Sequence, residues 1–161
     1  MAIPLDERDL KILAVLQKNG RMTKTELAER VNLSPTPCWE RLKKLEESGI
    51  IEGYSANISL KILGPISVIF MEAEIGSHRA ADFERFENAV LEIPEIAECW
   101  AVGGGIDYIV KFLCKDVDTY QRLVDKLLNS DIGLRRYYSY VVTKPVKSSQ
   151  IPPLDLYELK R

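Results

Sequence analysis

Asn32-Leu33-Ser34-Pro35-Thr36-Pro37-Cys38-Trp39-Glu40-Arg41-Leu42-Lys43-Lys44-Leu45-Glu46-Glu47-Ser48-Gly49-Ile50 is the stretch that decides the fold. Ser34 is a favoured helix N-cap, and Pro35 suits the first helical position. A residue before proline is also pushed out of the α region, as an N-cap must be. The spacing predicts a helix that starts at Ser34. Pro37 falls in the first turn, where its missing N–H is not needed, which leaves the Ser34 hydroxyl to cap the Thr36 N–H. Gly49 is placed to end the helix in the left-handed region, with Ile50 folding back onto the last turn. Cys38, Leu42 and Leu45 make one apolar stripe. Thr36, Glu40, Lys43, Lys44 and Glu47 point the other way, with Arg41 on one flank and Trp39 on the other.

Taken alone, this is a solvated amphipathic helix. Its neighbourhood argues for more. Thr23-Lys24-Thr25-Glu26 is a capping box that opens a short helix with Leu27, Ala28 and Val31 apolar, and only Asn32 and Leu33 lie between that helix and Ser34. Two short helices joined by a tight turn, the second presenting Thr, Lys and Arg, form the helix-turn-helix arrangement whose second helix enters the major groove of duplex DNA. Thr36, Trp39, Glu40 and Lys43 are then the candidates for base edges and groove walls, with Ser34 and Pro37 beside them. Arg21, Lys24, Arg41 and Lys44 are the candidates for phosphates.

Upstream, residues 6–18 read as a helix with Asp6 as N-cap, Asp9 three residues on, an apolar stripe of Leu10, Leu13, Ala14 and Leu16, and Gly20 just past its end. Downstream, residues 50–58 read as a strand with a glycine turn, the wing of a winged helix-turn-helix. Residues 59–65 carry no period and end in Gly64-Pro65. The expected organisation is a DNA-binding domain over 1–58, a linker over 59–66, a second domain over 67–147 and a tail over 148–161. Leu154, Leu156, Tyr157 and Leu159 in that tail could add a helical turn or dock on a neighbour.

The second domain alternates strand and helix. Val68–Ile75 is a strand with Ile69, Met71, Ala73 and Ile75 on one face. Ala80–Leu91 is a helix with Phe83, Phe86, Val90 and Leu91 apolar, and Ile96–Val102 is a strand. The pattern then recurs as a strand over Tyr108–Cys114, a helix over Val117–Leu128 with Tyr120, Leu123, Leu127 and Leu128 apolar, and a strand over Leu134–Thr143. Tyr120-x-Arg122-Leu123 repeats Phe83-x-Arg85-Phe86. Two such units in tandem give the split βαβ, a ferredoxin-like βαββαβ sandwich with both helices on one face of the sheet, so the chain is α+β. The other face keeps large apolar residues and calls for burial against a second copy. Tyr137, Tyr138 and Tyr140 on the last strand are candidates for that interface. Gly103-Gly104-Gly105, followed by Ile106-Asp107-Tyr108, links two strands. The glycines are either a plain hairpin turn or a place where a carboxylate reaches exposed N–H groups while Asp107 holds an ammonium.

Composition is that of a soluble globular protein: 161 residues, 46% hydrophobic, 29% charged, formal net charge −2. The longest nearly apolar run, Ile62–Met71, falls far short of the roughly 20 residues that cross a bilayer, so a cytoplasmic protein without a membrane partner is expected. Cys38, Cys99 and Cys114 read as reduced and mostly buried. Residues 1–53 hold nine Lys/Arg and nine Asp/Glu. DNA attraction must therefore come from the placement of cations and from several copies acting together. His78, the one histidine, has no Cys or acid at metal-ligand spacing, and the glycine run opens no helix, so no metal, nucleotide cofactor or catalytic group is read. An RNA-binding sheet lacks its Arg/Lys-Gly-aromatic signature in Ile109-Val110-Lys111-Phe112-Leu113.

Leu33-Ser34-Pro35-Thr36-Pro37-Cys38-x-x-Arg41-x-x-x-Leu45-Glu46-x-x-Gly49 resembles the recognition region of the Lrp/AsnC (feast/famine) family of bacterial and archaeal transcription regulators. The resemblance extends to about Lys147, through the Asp6-x-x-Asp9 helix start, Gly53-Tyr54 and Val102-x-Gly104-x-x-Asp107-Tyr108. It implies an N-terminal winged helix-turn-helix and a C-terminal ferredoxin-like domain for ligand sensing and oligomerisation, as a dimer that extends to a tetramer or octamer. It also implies an amino-acid effector pocket between subunits at the glycine turn, with Val102, Gly103, Gly104, Gly105, Asp107, Tyr108 and Ser139 as binding residues. Where relatives carry a small hydroxyl and an acid around the central glycine, this chain has Gly103 and Gly105. The function implied is a sequence-specific DNA-binding regulator modulated by an amino acid or derivative. The alternative is a small-molecule-binding ferredoxin-like domain, or a minor enzyme, whose helical front end has no specific DNA target.

Overall fold

The computed structural model describes residues 4–59, 62, 64–77 and 79–147. His78 and the 148–161 tail, on which expectations were placed above, lie outside the described residues. The described residues divide into two units, one of residues 4–57 with Lys147 and one within residues 58–146.

The first unit holds α1 (Glu7–Lys18), α2 (Lys24–Arg30) and α3 (Pro35–Glu47). Asp6 caps α1, accepting from the Arg8 and Asp9 N–H groups while the Asp9 carboxylate accepts the Asp6 N–H, a complete capping box. Thr23 and Glu26 form the same device on α2. Ser34 is the N-cap of α3, as expected, but its hydroxyl makes no capping bond. The bond expected from the Thr36 N–H is therefore not made, and the other customary donor, the N–H of the third helical residue, does not exist because that residue is Pro37. Between α2 and α3 the chain turns through Asn32, at φ 55°, and the Leu33 N–H donates to Ala28 O. Asn tolerates this left-handed turn better than most residues.

Ile12, Leu27, Ala28, Val31, Cys38, Leu42 and Leu45 form the core of this unit. The expected α1 stripe of Leu10, Leu13, Ala14 and Leu16 is only half-buried; Ile12 is the fully buried residue, on a face it shares with Asp9. Gly49 ends α3 at φ 73°, as expected. It is Ile51 rather than Ile50 that folds back. Its N–H donates to Leu45 O and its side chain packs on the core, whereas Ile50 stays exposed. The strand expected over residues 50–58 does not form among the described residues. A strand needs a partner ladder, and this unit supplies only helices. The segment is instead held by Tyr54, whose hydroxyl donates to Glu46 at 2.8 Å.

The second unit is one four-stranded antiparallel sheet, β1 (Ser67–Ile75), β2 (Ile96–Ala101), β3 (Tyr108–Cys114) and β4 (Leu134–Val141), with α4 (Ala80–Leu91) and α5 (Val117–Asn129). The spatial order is β2-β3-β1-β4, the ferredoxin-like arrangement. Alternation sets the inner face: Ile69, Met71, Ala73 and Ile75 on β1, and Tyr108, Val110, Phe112 and Cys114 on β3. Phe86 and Val90 of α4 and Tyr120, Val124 and Leu127 of α5 cover that face. Each such side chain contributes about 1.5–3 kcal/mol of transfer free energy. Leu91 and Leu128, expected in the stripes, are exposed instead. The helices bury Phe86 with Val90 and Tyr120 with Val124 and Leu127, at spacings of four and three, and one step further along the chain points a side chain away. Tyr137 also departs from expectation. It packs on the helix-covered core, while Tyr138 and Tyr140 lie on the open face.

Candidate nucleic-acid interface and effector site

The polar side of α3 is open. Ser34, Thr36, Pro37, Trp39, Glu40, Lys43 and Lys44 are all exposed, while Cys38, Leu42 and Leu45 anchor the opposite side. Lys43 lies 3.5 Å from Glu47, with both side chains mostly in solvent, a pair that gives way at little cost. The Lys24 ammonium sits 2.9 Å from the centroid of the Trp39 ring, so α2 and α3 are joined across the turn by a cation–π contact. Arg21 is exposed before α2, its N–H bonded to Asn19 Oδ1.

Arg41 is not with these. Its Nη1 lies 2.7 Å from both the Asp6 and the Asp9 carboxylates. Burial pushes the Asp6 carboxyl up, but the Asp9 N–H and the Arg41 guanidinium together hold it below its ordinary value. The guanidinium nitrogen expected to meet a phosphate is thus engaged with two carboxylates of its own unit, and a phosphate would have to compete with them for it. The capping box made Asp6 and Asp9 visible in the sequence. Their partner, 32 residues beyond Asp9, carried no local signal.

In the second unit the turn between β2 and β3 is closed by the Val102 N–H, which donates to Asp107 O at 2.8 Å. Gly103, Gly104 and Gly105 are exposed, and a Cβ added at any of them meets nothing within 4 Å; Gly104, at φ 150°, is the position that demands glycine. Asp107 is tied inward. Its N–H donates to Ala73 O at 3.0 Å, and its carboxylate accepts the Ile75 N–H at 2.7 Å. The other expected effector residues are not gathered here. The Tyr108 ring is 2% exposed beneath the sheet, 4.6 Å from Phe86 between centroids, and its hydroxyl donates to Glu87. Burial, with that bond second, raises the phenol far above its usual value. Ser139 sits on β4, with β1 between it and β3, and its hydroxyl pairs with that of Tyr120. Within one chain the structure therefore brings Val102 through Asp107 together and leaves apart from them Tyr108, which alternation turns toward the helices, and Ser139, which β1 separates from the turn.

The uncovered face of the sheet joins both ends of this unit. Phe70 lies between Lys111 and Tyr140, and Trp100 lies opposite Ile109. Trp100, Tyr138 and Tyr140 are 43%, 51% and 51% exposed. The charges among them are paired, Lys111 with Glu98 at 2.6 Å and Arg136 with Glu74 at 3.6 Å, and Tyr140 donates to Glu72. Among the described residues no three His, Cys, Asp or Glu side chains come together as metal ligands would, and no helix is long and apolar enough to cross a membrane.

Comparison with known proteins agrees with this division. Residues 5–52 match a winged helix-turn-helix DNA-binding family, and residues 68–152 match the Lrp/AsnC ligand binding domain. The transcriptional regulatory protein DoeX of Halomonas elongata is 51% identical over 143 residues, 89% of this chain and 90% of that protein. The leucine-responsive regulatory protein of Escherichia coli (strain K12) is 39% identical over 145 residues, 90% of this chain and 88% of that protein. Among solved structures, a Neisseria meningitidis transcriptional regulator in complex with L-Met superposes with a TM-score of 0.88 at 37% identity, covering 94% of this chain and 98% of that one. An AsnC family regulator from Agrobacterium tumefaciens gives the same TM-score at 30% identity, covering 94% and 99%. A helix-turn-helix with an open polar face, a ferredoxin-like sheet with a glycine turn, and relatives that align along nearly the whole length have one reading: the chain belongs to the Lrp/AsnC family of ligand-modulated transcription regulators.

Proposed function

We propose that the chain acts in the cytoplasm as a homodimer, or a larger even-numbered assembly, joined through the uncovered face of its sheet. Each copy places the exposed side of α3 in the major groove of a pseudo-palindromic site. Thr36, Trp39, Glu40 and Lys43 are assigned to base edges and groove walls, and Arg21, Lys24 and Lys44 to phosphates. The observation that carries this is the one-sided commitment of α3, packed through Cys38, Leu42 and Leu45 and uncovered along its polar face. We assign no catalytic role to any residue.

The effector is an amino acid or close derivative held at the turn from Val102 to Asp107, its carboxylate toward the glycine N–H groups and its ammonium toward Asp107. The L-Met complex of the Neisseria relative and the leucine response in the name of the Escherichia relative support this class. Binding changes DNA affinity only to the extent that the effector favours one assembly geometry. A difference of about 1–3 kcal/mol shifts that affinity roughly 5- to 150-fold.

The test is fluorescence anisotropy on a duplex enriched by the full chain from a randomised pool, repeated with each amino acid that raises the melting temperature of the protein. Enrichment of a two-fold sequence and a change of its affinity with one of those amino acids is the expected result. A pool that yields no enriched sequence overturns the DNA assignment. An enriched duplex whose affinity no stabilising amino acid changes overturns the effector assignment.

A further inference from the structure

We propose that Arg41 is a positioning residue for DNA recognition: it sets the seat of the recognition helix α3 against α1 through Asp6 and Asp9 and contacts no DNA. This rests on the assignment of α3 to the major groove.

Three observations converge on it. Asp9 is the one buried charged residue among those described, at 7% exposure, and a buried carboxylate is tolerated only when it is paired and hydrogen-bonded. Its two oxygens are both used, one by the Asp6 N–H and one by Arg41. Asp6 in turn accepts the Arg8 and Asp9 N–H groups and meets the same Arg41 nitrogen. The two acids are thus fixed in one rigid helix cap, and a single guanidinium nitrogen bridges them.

That nitrogen belongs to the middle of α3, beside the buried Leu42 and between Glu40 and Lys44 on the open side. Apolar contacts at Cys38, Leu42 and Leu45 hold α3 onto the core, and none of them is a directional bond. A charge-assisted bridge to two carboxylates held in one helix cap adds a directional restraint on the rotation of α3 about its own axis, because one nitrogen must stay within hydrogen-bond distance of both. Base edges are read by hydrogen bonds of narrow geometry, so a rotated helix loses discrimination before it loses general attraction to phosphate.

A phosphate ligand and a positioning residue predict opposite results. The duplex enriched from the randomised pool and an unrelated duplex of equal length are titrated with the parent, Arg41→Gln, Arg41→Lys and Asp9→Asn across a salt series, well below each protein's melting temperature. For a positioning residue, Arg41→Gln lowers the ratio of specific to non-specific affinity about ten-fold, the cost of one good base contact, with the salt slope unchanged. Asp9→Asn lowers the ratio in the same direction although it removes a negative charge, and Arg41→Lys does so although it keeps the positive one. Combining Arg41→Gln with Asp9→Asn adds little to either alone.

For a phosphate ligand, Arg41→Gln weakens both duplexes equally and flattens the slope by about 0.9, and Asp9→Asn tightens both by freeing the guanidinium. That pattern overturns the proposal and leaves the regulator assignment intact; a pool that yields no enriched duplex overturns both. Should Arg41→Gln fail to fold, the Asp9→Asn and Arg41→Lys titrations decide alone, since tightening by the first or parent-like behaviour of the second is refutation.

Discussion

Asp107 carries two assignments that one series of variants separates. Its carboxylate accepts the Ile75 N–H at 2.7 Å, at the point where the register of β1 against β4 shifts. Ile75 is 1% exposed, so an N–H that loses its partner there is left largely out of reach of water. Asp107→Ala removes the acceptor and should destabilise the sheet unit by about 1–3 kcal/mol, the cost of leaving a buried donor unsatisfied. For a unit of this size each kcal/mol lowers the melting temperature by about 4–8 °C. Asp107→Asn keeps an acceptor oxygen but not the charge. It should recover roughly half of the loss, because hydrogen bonds to ionised acceptors are about twice as strong as neutral ones.

The same two variants act differently on the effector. If Asp107 holds the ammonium of the bound amino acid, both lose the response, and Asp107→Asn loses it with much of the fold restored. Thermal unfolding in the absence of ligand, followed by anisotropy on the enriched duplex with and without it, reads both quantities. An Asp107→Ala protein that melts within about 1 °C of the parent refutes the structural reasoning. An Asp107→Asn protein that still responds like the parent refutes the ligand assignment.

Three further outcomes are expected. Trp100→Glu combined with Tyr138→Glu places charges on the uncovered sheet face, and light scattering should then report a folded monomer; an unchanged mass would remove that face from the assembly. Gly20→Val sets side-chain carbon where a Cβ alone would lie 3.3 Å from the exposed Tyr54 ring, so the ring shifts and the Tyr54–Glu46 bond is lost at a cost of about 0.5–1.5 kcal/mol; a parent-like urea midpoint would contradict it. Asp6 is held below its ordinary carboxyl value of 3.8, so its contribution is present above that pH and lost as pH falls through the lowered folded value. Asp6→Asn should remove that part of the acid limb of the first unit's unfolding curve, and an identical limb in the variant would count against the Arg41 bridge.

What the sequence showed depended on how far apart the interacting residues lie. Helix ends rest on contacts within a few residues, and Asp6, Thr23 and Pro35 located three starts while Gly49 located the end of α3. The sheet was legible because period-two burial in Ile69, Met71, Ala73 and Ile75 needs no knowledge of the partner strand. The strand expected over residues 50–58 failed for the converse reason: β-branched residues and a glycine fit a strand, but a ladder needs a second strand that this unit lacks. At the site, the exposed residues of α3 followed from its 3.6-residue period alone. The Arg41 bridge, the Lys24–Trp39 contact and the inward role of Asp107 did not, since each joins separate elements and depends on their packing. Tyr137 was misread for a smaller reason. Along β4 the face alternates at every residue, so the three tyrosines could not all share one side.

The electrostatics of the first unit constrain how the protein must bind. Of the five cations around the helix-turn-helix, Arg41 is committed to Asp6 and Asp9, and Lys43 is assigned to the groove. Arg21, Lys24 and Lys44 remain for phosphates, set in a segment with no net charge. Three phosphate contacts give a salt slope of about −2.7 for one copy and about −5 for two. One copy with so few contacts binds weakly, whereas a second copy on the same assembly meets its half-site at an effective concentration in the millimolar range. The specific complex should therefore show the two-copy slope, and the Trp100→Glu, Tyr138→Glu protein should show about half of it together with a loss of affinity of roughly 10²- to 10⁴-fold. A parent slope of about −2.7 would mean that one copy binds alone, and a slope steeper than about −7 would mean that Arg41 leaves its carboxylates for the DNA. Either result would count against the proposal that the neutral helical unit binds in pairs joined through the uncovered sheet face.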